Sequence, residues 1–473
     1  MNTIIGRKEE REKLDNLLDS NKSEFLAVYG RRRIGKTFLI RTHFKSKLLF
    51  QATGIANANL SEQLQNFHLA LQKSDSKLSF KASDNWLDSF RQLEKLIENS
   101  QQKKKIIFID ELPWFDTPKS GFIKALEHFW NSFASARNDV ILIGCGSAAS
   151  WMLNKLINSK GGLHNRVSRR IKLNAFSLKE CEEFLIHKKI KLDKYQIAKL
   201  YMALGGVPFY WDQIEKGKSA DQNIQRICFS DSGLLKGEFK NLFASLFSSY
   251  EKHEKIIYAL AKKTKGLNRA EIIKETKLPN AGSTTKILNE LEESGFIRKY
   301  TPFGKKLRQS IYQLIDLYSF FYIKFIKNKN QFSENYWINS VDSPKHLAWQ
   351  GFTFEQICLL HTKQIKFKLG IHGIESSNYS WRTNKAENNA QIDLIIDRKD
   401  NVINICEAKF STSEFVITKQ YAKNLQNKIN AFKEESKTKK TIFLTMISTY
   451  GLKSNQYSVA IVQNDIKLSD LFI

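Results

Sequence analysis

A chain of 473 residues is longer than one ordinary hydrophobic core serves, and its 42% hydrophobic and 12% aromatic content fits several folded domains rather than a disordered or fibrous protein. The formal charge of +27 points to a polyanionic partner, and nucleic acid fits it. The five scattered cysteines form no C-x-x-C pair, no stretch approaches the ~18 apolar residues of a membrane span, and the opening MNTIIGRKEEREKL is charged where a secretory leader is apolar. A cytoplasmic protein with reduced thiols and no membrane partner is therefore expected.

In chain order, an amphipathic helix over 8–19 precedes a short apolar strand, Phe25 to Tyr29, and then the loop Gly30-Arg31-Arg32-Arg33-Ile34-Gly35-Lys36-Thr37 with a helix from about Lys36 to Phe44. This G-x-x-x-x-G-K-[ST] pattern between a strand and a helix is a phosphate-binding loop. Its glycines let backbone N–H groups curl around phosphates, Lys36 reaches the β- and γ-phosphates, and the Thr37 hydroxyl holds Mg²⁺. ATP and Mg²⁺ are the expected cofactors.

A second buried strand, Ile106 to Ile109, ends at Asp110-Glu111. Asp110 suits the Mg²⁺ shell and Glu111 the water that attacks the γ-phosphate. A third strand, Asp139 to Ile143, leads to Ser147, placed to touch the water or the γ-phosphate. The loop 161–166 carries Arg166, an arginine that a neighbouring copy would offer to the phosphate, so a homo-oligomer is expected. Strands alternating with helices imply a parallel sheet with its ligands at the strand C-terminal ends.

These features resemble the archaeal-type AAA+ ATPases allied to the STAND switch NTPases. The likeness rests on Ile5-Gly6-Arg7-Lys8-Glu9-Glu10-Arg11, the GRRRIGKT loop, IIFIDELPW, GCGSA and the GGVP of residues 205–208, and it covers roughly residues 1–325. It implies an ATP-driven switch or remodeller with a helical lid after the ATPase core.

Beyond residue 172 the pattern turns helical, over Leu178 to His187 and Lys194 to Leu204. From about 250, three helices ending at Gly295 precede two strands, Phe296 to Tyr300 and Ile311 to Leu314, which is a winged helix-turn-helix pattern. Ser283, Thr284, Thr285 and Lys286 on its third helix, with Lys299, Lys305, Lys306 and Arg308 on or beside the wing, suit contact with DNA. RNA remains an alternative, because charge does not distinguish the two.

The last region again mixes helix and strand. Glu355 lies on a helix, Asp393 in an apolar strand, and Glu407 and Lys409 share one face of the strand that returns after it. Asp393 and Glu407 are available to bind a second divalent metal with Lys409 beside them, chemistry that suits phosphodiester hydrolysis. The four positions resemble the PD-(D/E)XK nuclease fold, with Gln420 as an accessory.

The expected fold is thus α/β: a P-loop AAA+ core over 1–172, a helical lid over 173–249, a winged helix over 250–330 and a restriction-endonuclease-like domain over 335–473. Its expected task is ATP hydrolysis coupled to DNA binding and metal-dependent cleavage. The alternative is a non-cleaving switch or scaffold with an inactive nuclease-like domain.

Overall fold

The computed structural model describes residues 3–158, 161, 163, 165–247, 249–327, 332–383 and 390–473. They fall into two compact units, one of residues 1–175, 244–248 and 289–295, the other of residues 176–243, 249–288 and 296–473.

Five parallel strands organise the first unit: β1 (Glu24–Tyr29), β2 (Leu48–Thr53), β3 (Lys105–Asp110), β4 (Val140–Gly146) and β5 (Arg169–Lys172), in the order β2-β3-β4-β1-β5. Every residue of β1 and β4 is buried, because helices cover both faces; such strands read as continuous apolar runs. Successive side chains still point to opposite faces. Phe25, Ala27, Ile107, Ile109 and Leu142 join one core with helices Leu60–Ser74 and Trp86–Asn99, whereas Leu26, Val28, Ile106, Phe108, Ile141 and Ile143 join another with helices Lys8–Leu18 and Lys36–Phe44. Because β4 lies between β3 and β1, the C-terminal ends of these three strands adjoin, and this is where such sheets bind ligands.

The second unit opens with helices Leu178–His187 and Lys194–Leu204, the first closed by a capping box of Ser177 and Glu180. Helices Tyr250–Lys262, Arg269–Thr276 and Gly282–Glu293 follow; the final residues of the last count with the first unit. A small antiparallel sheet, β6 (Leu267–Asn268), β7 (Ile297–Tyr300) and β8 (Ile311–Leu314), has β8 in its centre. The C-terminal part is a five-stranded sheet in the order β13-β12-β11-β10-β9, from β9 (Ser376–Arg382), β10 (Gln391–Arg398), β11 (Val402–Lys409), β12 (Thr441–Ser448) and β13 (Asn464–Lys467). Helices Pro344–Leu360 and Lys419–Ser436 accompany it. Among the described residues no helix is long and apolar enough to cross a membrane.

Candidate functional site

The loop between β1 and helix Lys36–Phe44 turns through left-handed backbone at Arg33 (φ 70°) and Gly35 (φ 88°), while Gly30 adopts φ 147°. A Cβ on Gly30 would stand 2.3 Å from the Leu173 carbonyl oxygen, so only glycine fits there. The helix begins with no side-chain cap on its first N–H groups, and these donors suit a phosphate.

Lys36 is 5% exposed. Its Nζ donates to the Gly30 carbonyl (3.1 Å), the Arg31 carbonyl (2.9 Å) and Ser147 Oγ (2.9 Å). All three are neutral, and among the described residues Lys36 makes no ion pair, so its buried Nζ can exchange these partners for an anion. A triphosphate supplies one. Thr37 Oγ1 donates to Asp110 Oδ2 at 2.9 Å, bringing hydroxyl and carboxylate oxygens to one point, the oxygen chemistry that a Mg²⁺ ion takes.

Glu111 sits at φ 46° immediately after β3. Ser147, at the end of β4, holds both of its oxygens: Oγ donates to Oε1 at 2.7 Å and the backbone N–H to Oε2 at 3.2 Å. Lys36, Ser147 and Glu111 therefore form one hydrogen-bonded chain. The Cys145 thiol, two residues before Ser147, is pushed well above its ordinary value by burial and then by the Asp110 charge, which keeps it inert. Arg31, Arg32, Arg33 and Ile34 complete the loop, and the Ile34 carbonyl accepts from Arg7 Nη2 at 3.3 Å. Arg166 is exposed, in a turn where its N–H donates to the Leu163 carbonyl; its neighbours Gly162 and His164 lie outside the described residues.

The second constellation belongs to the C-terminal sheet. β10 and β11 pair antiparallel up to Leu394 opposite Cys406, and Asp393 and Glu407 lie one step further. Between Ile392 and Ile395 the β9–β10 register slips, so Asp393 occupies a bulge of the kind that re-aims a side chain. Glu355, on helix Pro344–Leu360, feels the charges of both. Burial, Asp393 and Glu407 push its carboxyl up to about 8, while burial pushes Asp393 up against the hydrogen bond it accepts from Gln391.

Glu407 goes the other way. Burial alone would raise it, yet Lys428 and Lys409 hold it below the usual carboxylate value. Its Oε2 accepts from Lys428 Nζ at 2.9 Å, and its Oε1 accepts from Tyr421 Oη at 2.8 Å and pairs with Lys409 Nζ at 3.2 Å. Tyr421 and Lys428 were not among the residues expected here; Gln420, which was, bonds Asn424 instead.

Among the described residues no three Asp, Glu, His or Cys side chains converge closely enough to hold a metal ion as they stand. The donor chemistry nonetheless fits a divalent cation. The Gln391 Oε1 atom beside Asp393 is buried without a partner, and a cation would relieve the mutual repulsion of the carboxylates. Asp393 and Glu407 would hold it once Glu407 turned from its lysines.

Comparison with known proteins supports an ATPase. The family described as an ATPase domain predominantly from Archaea matches residues 5–214. The uncharacterised protein MJECL04 of Methanocaldococcus jannaschii is 25% identical over 359 residues, covering 75% of this chain and 76% of its own. The uncharacterised ATP-binding protein MJ0423 of the same organism is 41% identical over 50 residues, 11% of this chain and 85% of that protein. The Walker-type ATPase paby2304 of Pyrococcus abyssi superposes with a TM-score of 0.53 at 18% identity, covering 68% of this chain and 96% of the other, a likeness of fold.

Proposed function

We propose a task for an enzyme whose residues 5–214 match the family described as an ATPase domain predominantly from Archaea: this ATPase uses its nucleotide state to control DNA binding by its C-terminal half, where a metal-dependent site hydrolyses phosphodiesters. In this reading Lys36 exchanges its three neutral partners for the β- and γ-phosphates, Thr37 and Asp110 hold Mg²⁺, and Glu111, positioned by Ser147, takes a proton from the attacking water. Arg166 supplies positive charge to a neighbouring copy's nucleotide. Bound Mg²⁺ neutralises charge building on the phosphates.

Residues 250–330 serve as a winged helix and residues 335–473 as a nuclease-like domain. Support for the second comes from one observation: Glu355, Asp393 and the Glu407–Lys409 pair, from a helix and two strands, interact electrostatically around a bulged strand. Asp393 and Glu407 would hold the metal, which supplies an activated water, and Lys409 steadies the phosphate. Plasmid and linear DNA incubated with Mg²⁺ or Mn²⁺ test the reading. Cleavage that disappears in Lys409→Ala and Asp393→Ala is expected; DNA left intact under every nucleotide and metal condition would overturn it.

The ion pairs of Glu407 with Lys409 and Lys428 favour a second reading. There the acid is neutralised within the chain, and the C-terminal half is a DNA-holding platform that does not cut.

A further inference from the structure

The wing expected to enter a DNA groove is packed against the C-terminal sheet. The Phe303 N–H donates to the Ser380 carbonyl at 2.8 Å. Its ring meets Tyr379 of β9 (5.3 Å between centroids) and Phe432 of helix Lys419–Ser436 (5.1 Å), so Phe303 packs against the core beneath that sheet. The β7–β8 hairpin is thereby fixed beside β9 and, through it, beside the bulge that carries Asp393.

Two cations arrive with the small sheet. Arg298 on β7 donates through Nε and Nη2 to Gln313 Oε1 (3.0 and 2.6 Å), and its guanidinium lies over the Tyr300 ring. Gln313 in turn donates to the Thr264 carbonyl at 2.8 Å, so the guanidinium is held rigidly. Among the described residues it makes no ion pair, and of its five N–H donors only two are used. Burial holds the guanidinium below its ordinary value, while Tyr300 and then Asp393 favour its charged form. Lys265, exposed in the turn before β6, is tied to the same hairpin, since its carbonyl accepts from Tyr300 Oη at 3.4 Å, and its charge favours the ionised form of Asp393.

We propose that Lys265 and Arg298 belong to the C-terminal site and hold the phosphodiester backbone of the DNA that reaches Asp393 and Glu407. Lys409 and Lys428 pair with Glu407, and Lys265 and Arg298 bring two more cations from separate elements to the same side of the bulge, an arrangement that suits repeated phosphates rather than a single small anion. Arg298, with its planar donors fixed and partly unclaimed, matches a phosphate bidentately. The hairpin is then a wall of the site instead of an independent reader of the groove. This assignment rests on the DNA-binding reading above but not on cleavage.

The test measures the affinity of the full-length protein for a short DNA duplex across a salt series in EDTA, for the wild type, Lys265→Gln, Arg298→Gln and Arg298→Lys. Each lost phosphate contact reduces the slope of log affinity against log salt by about 0.9, which is about eightfold in affinity near 0.1 M salt. Arg298→Lys should recover part of the loss. Lys265 is exposed, so Lys265→Gln decides the matter even where Arg298→Gln folds poorly.

Wild-type affinity and slope in Lys265→Gln would overturn the assignment while leaving DNA binding intact. A wild type that binds no duplex would overturn the DNA reading and this assignment together. Binding that weakens in the variants, in a protein that never cleaves, sustains the assignment and removes the nuclease.

Discussion

Replacing Ser147 by alanine removes the hydroxyl that joins Lys36 to Glu111 and leaves the backbone N–H that also holds the carboxylate. A hydrogen bond to a charged group contributes about 1.5–3 kcal/mol, equivalent to about 10- to 150-fold in rate if it serves the transition state alone. The Ser147→Ala enzyme should therefore lose one to two decades in kcat. KM should change little, because Lys36 keeps the Gly30 and Arg31 carbonyls as alternative partners and remains available to phosphate. Glu111→Gln removes the base itself and should cost about 10²–10⁴-fold while ATP stays bound. Steady-state phosphate release and equilibrium binding of a fluorescent nucleotide separate the two quantities. A Ser147→Ala enzyme with wild-type kcat, or one whose defect lies in KM, would refute the positioning role.

Lys36→Ala should abolish ATP binding, seen as loss of nucleotide-induced thermal stabilisation; retained stabilisation would contradict the loop assignment. His361 donates through Nδ1 to the Ile357 carbonyl and accepts at Nε2 from the Leu178 N–H, and burial holds its pKa at about 4. Since the folded value lies below the unfolded ~6.5, the neutral ring stabilises fully above that pH, and about 2 kcal/mol should be lost between about pH 7 and pH 5. Urea midpoints should show this fall, and His361→Gln should flatten it; an unchanged pH slope in the variant would refute the assignment. A Cβ on Gly206 would stand 1.9 Å from the Phe176 carbonyl oxygen, so Gly206→Ala should destabilise by about 1–3 kcal/mol in denaturant unfolding.

Legibility in the sequence followed burial. β1, β3 and β4 are apolar because both faces are covered, and their polar ends, Lys36, Asp110, Glu111 and Ser147, meet because their strands are neighbours. β2 and β5 were not read as strands. They are edge strands, and β5, Arg169-Arg170-Ile171-Lys172, buries Ile171 alone. In the C-terminal half, Asp393 stood out as an acid in an apolar run. Tyr421 and Lys428 did not, since they lie on a polar helix whose sequence resembles a solvated face; seven residues apart, two turns, they present together to Glu407. In the basic run 437–440, Lys440 binds Asp397 Oδ1 at 2.7 Å. Arg298 gave no local signal because its importance depends on Phe303 docking the hairpin, a contact between segments about 75 residues apart that no periodicity records.

The central claim is that nucleotide state governs DNA binding. Its most direct test is the DNA affinity of Glu111→Gln protein, saturated first with ATP and then with ADP, at one fixed salt concentration. Coupling between the sites predicts affinities that differ by about fivefold or more. Equal affinities in the two states would contradict it.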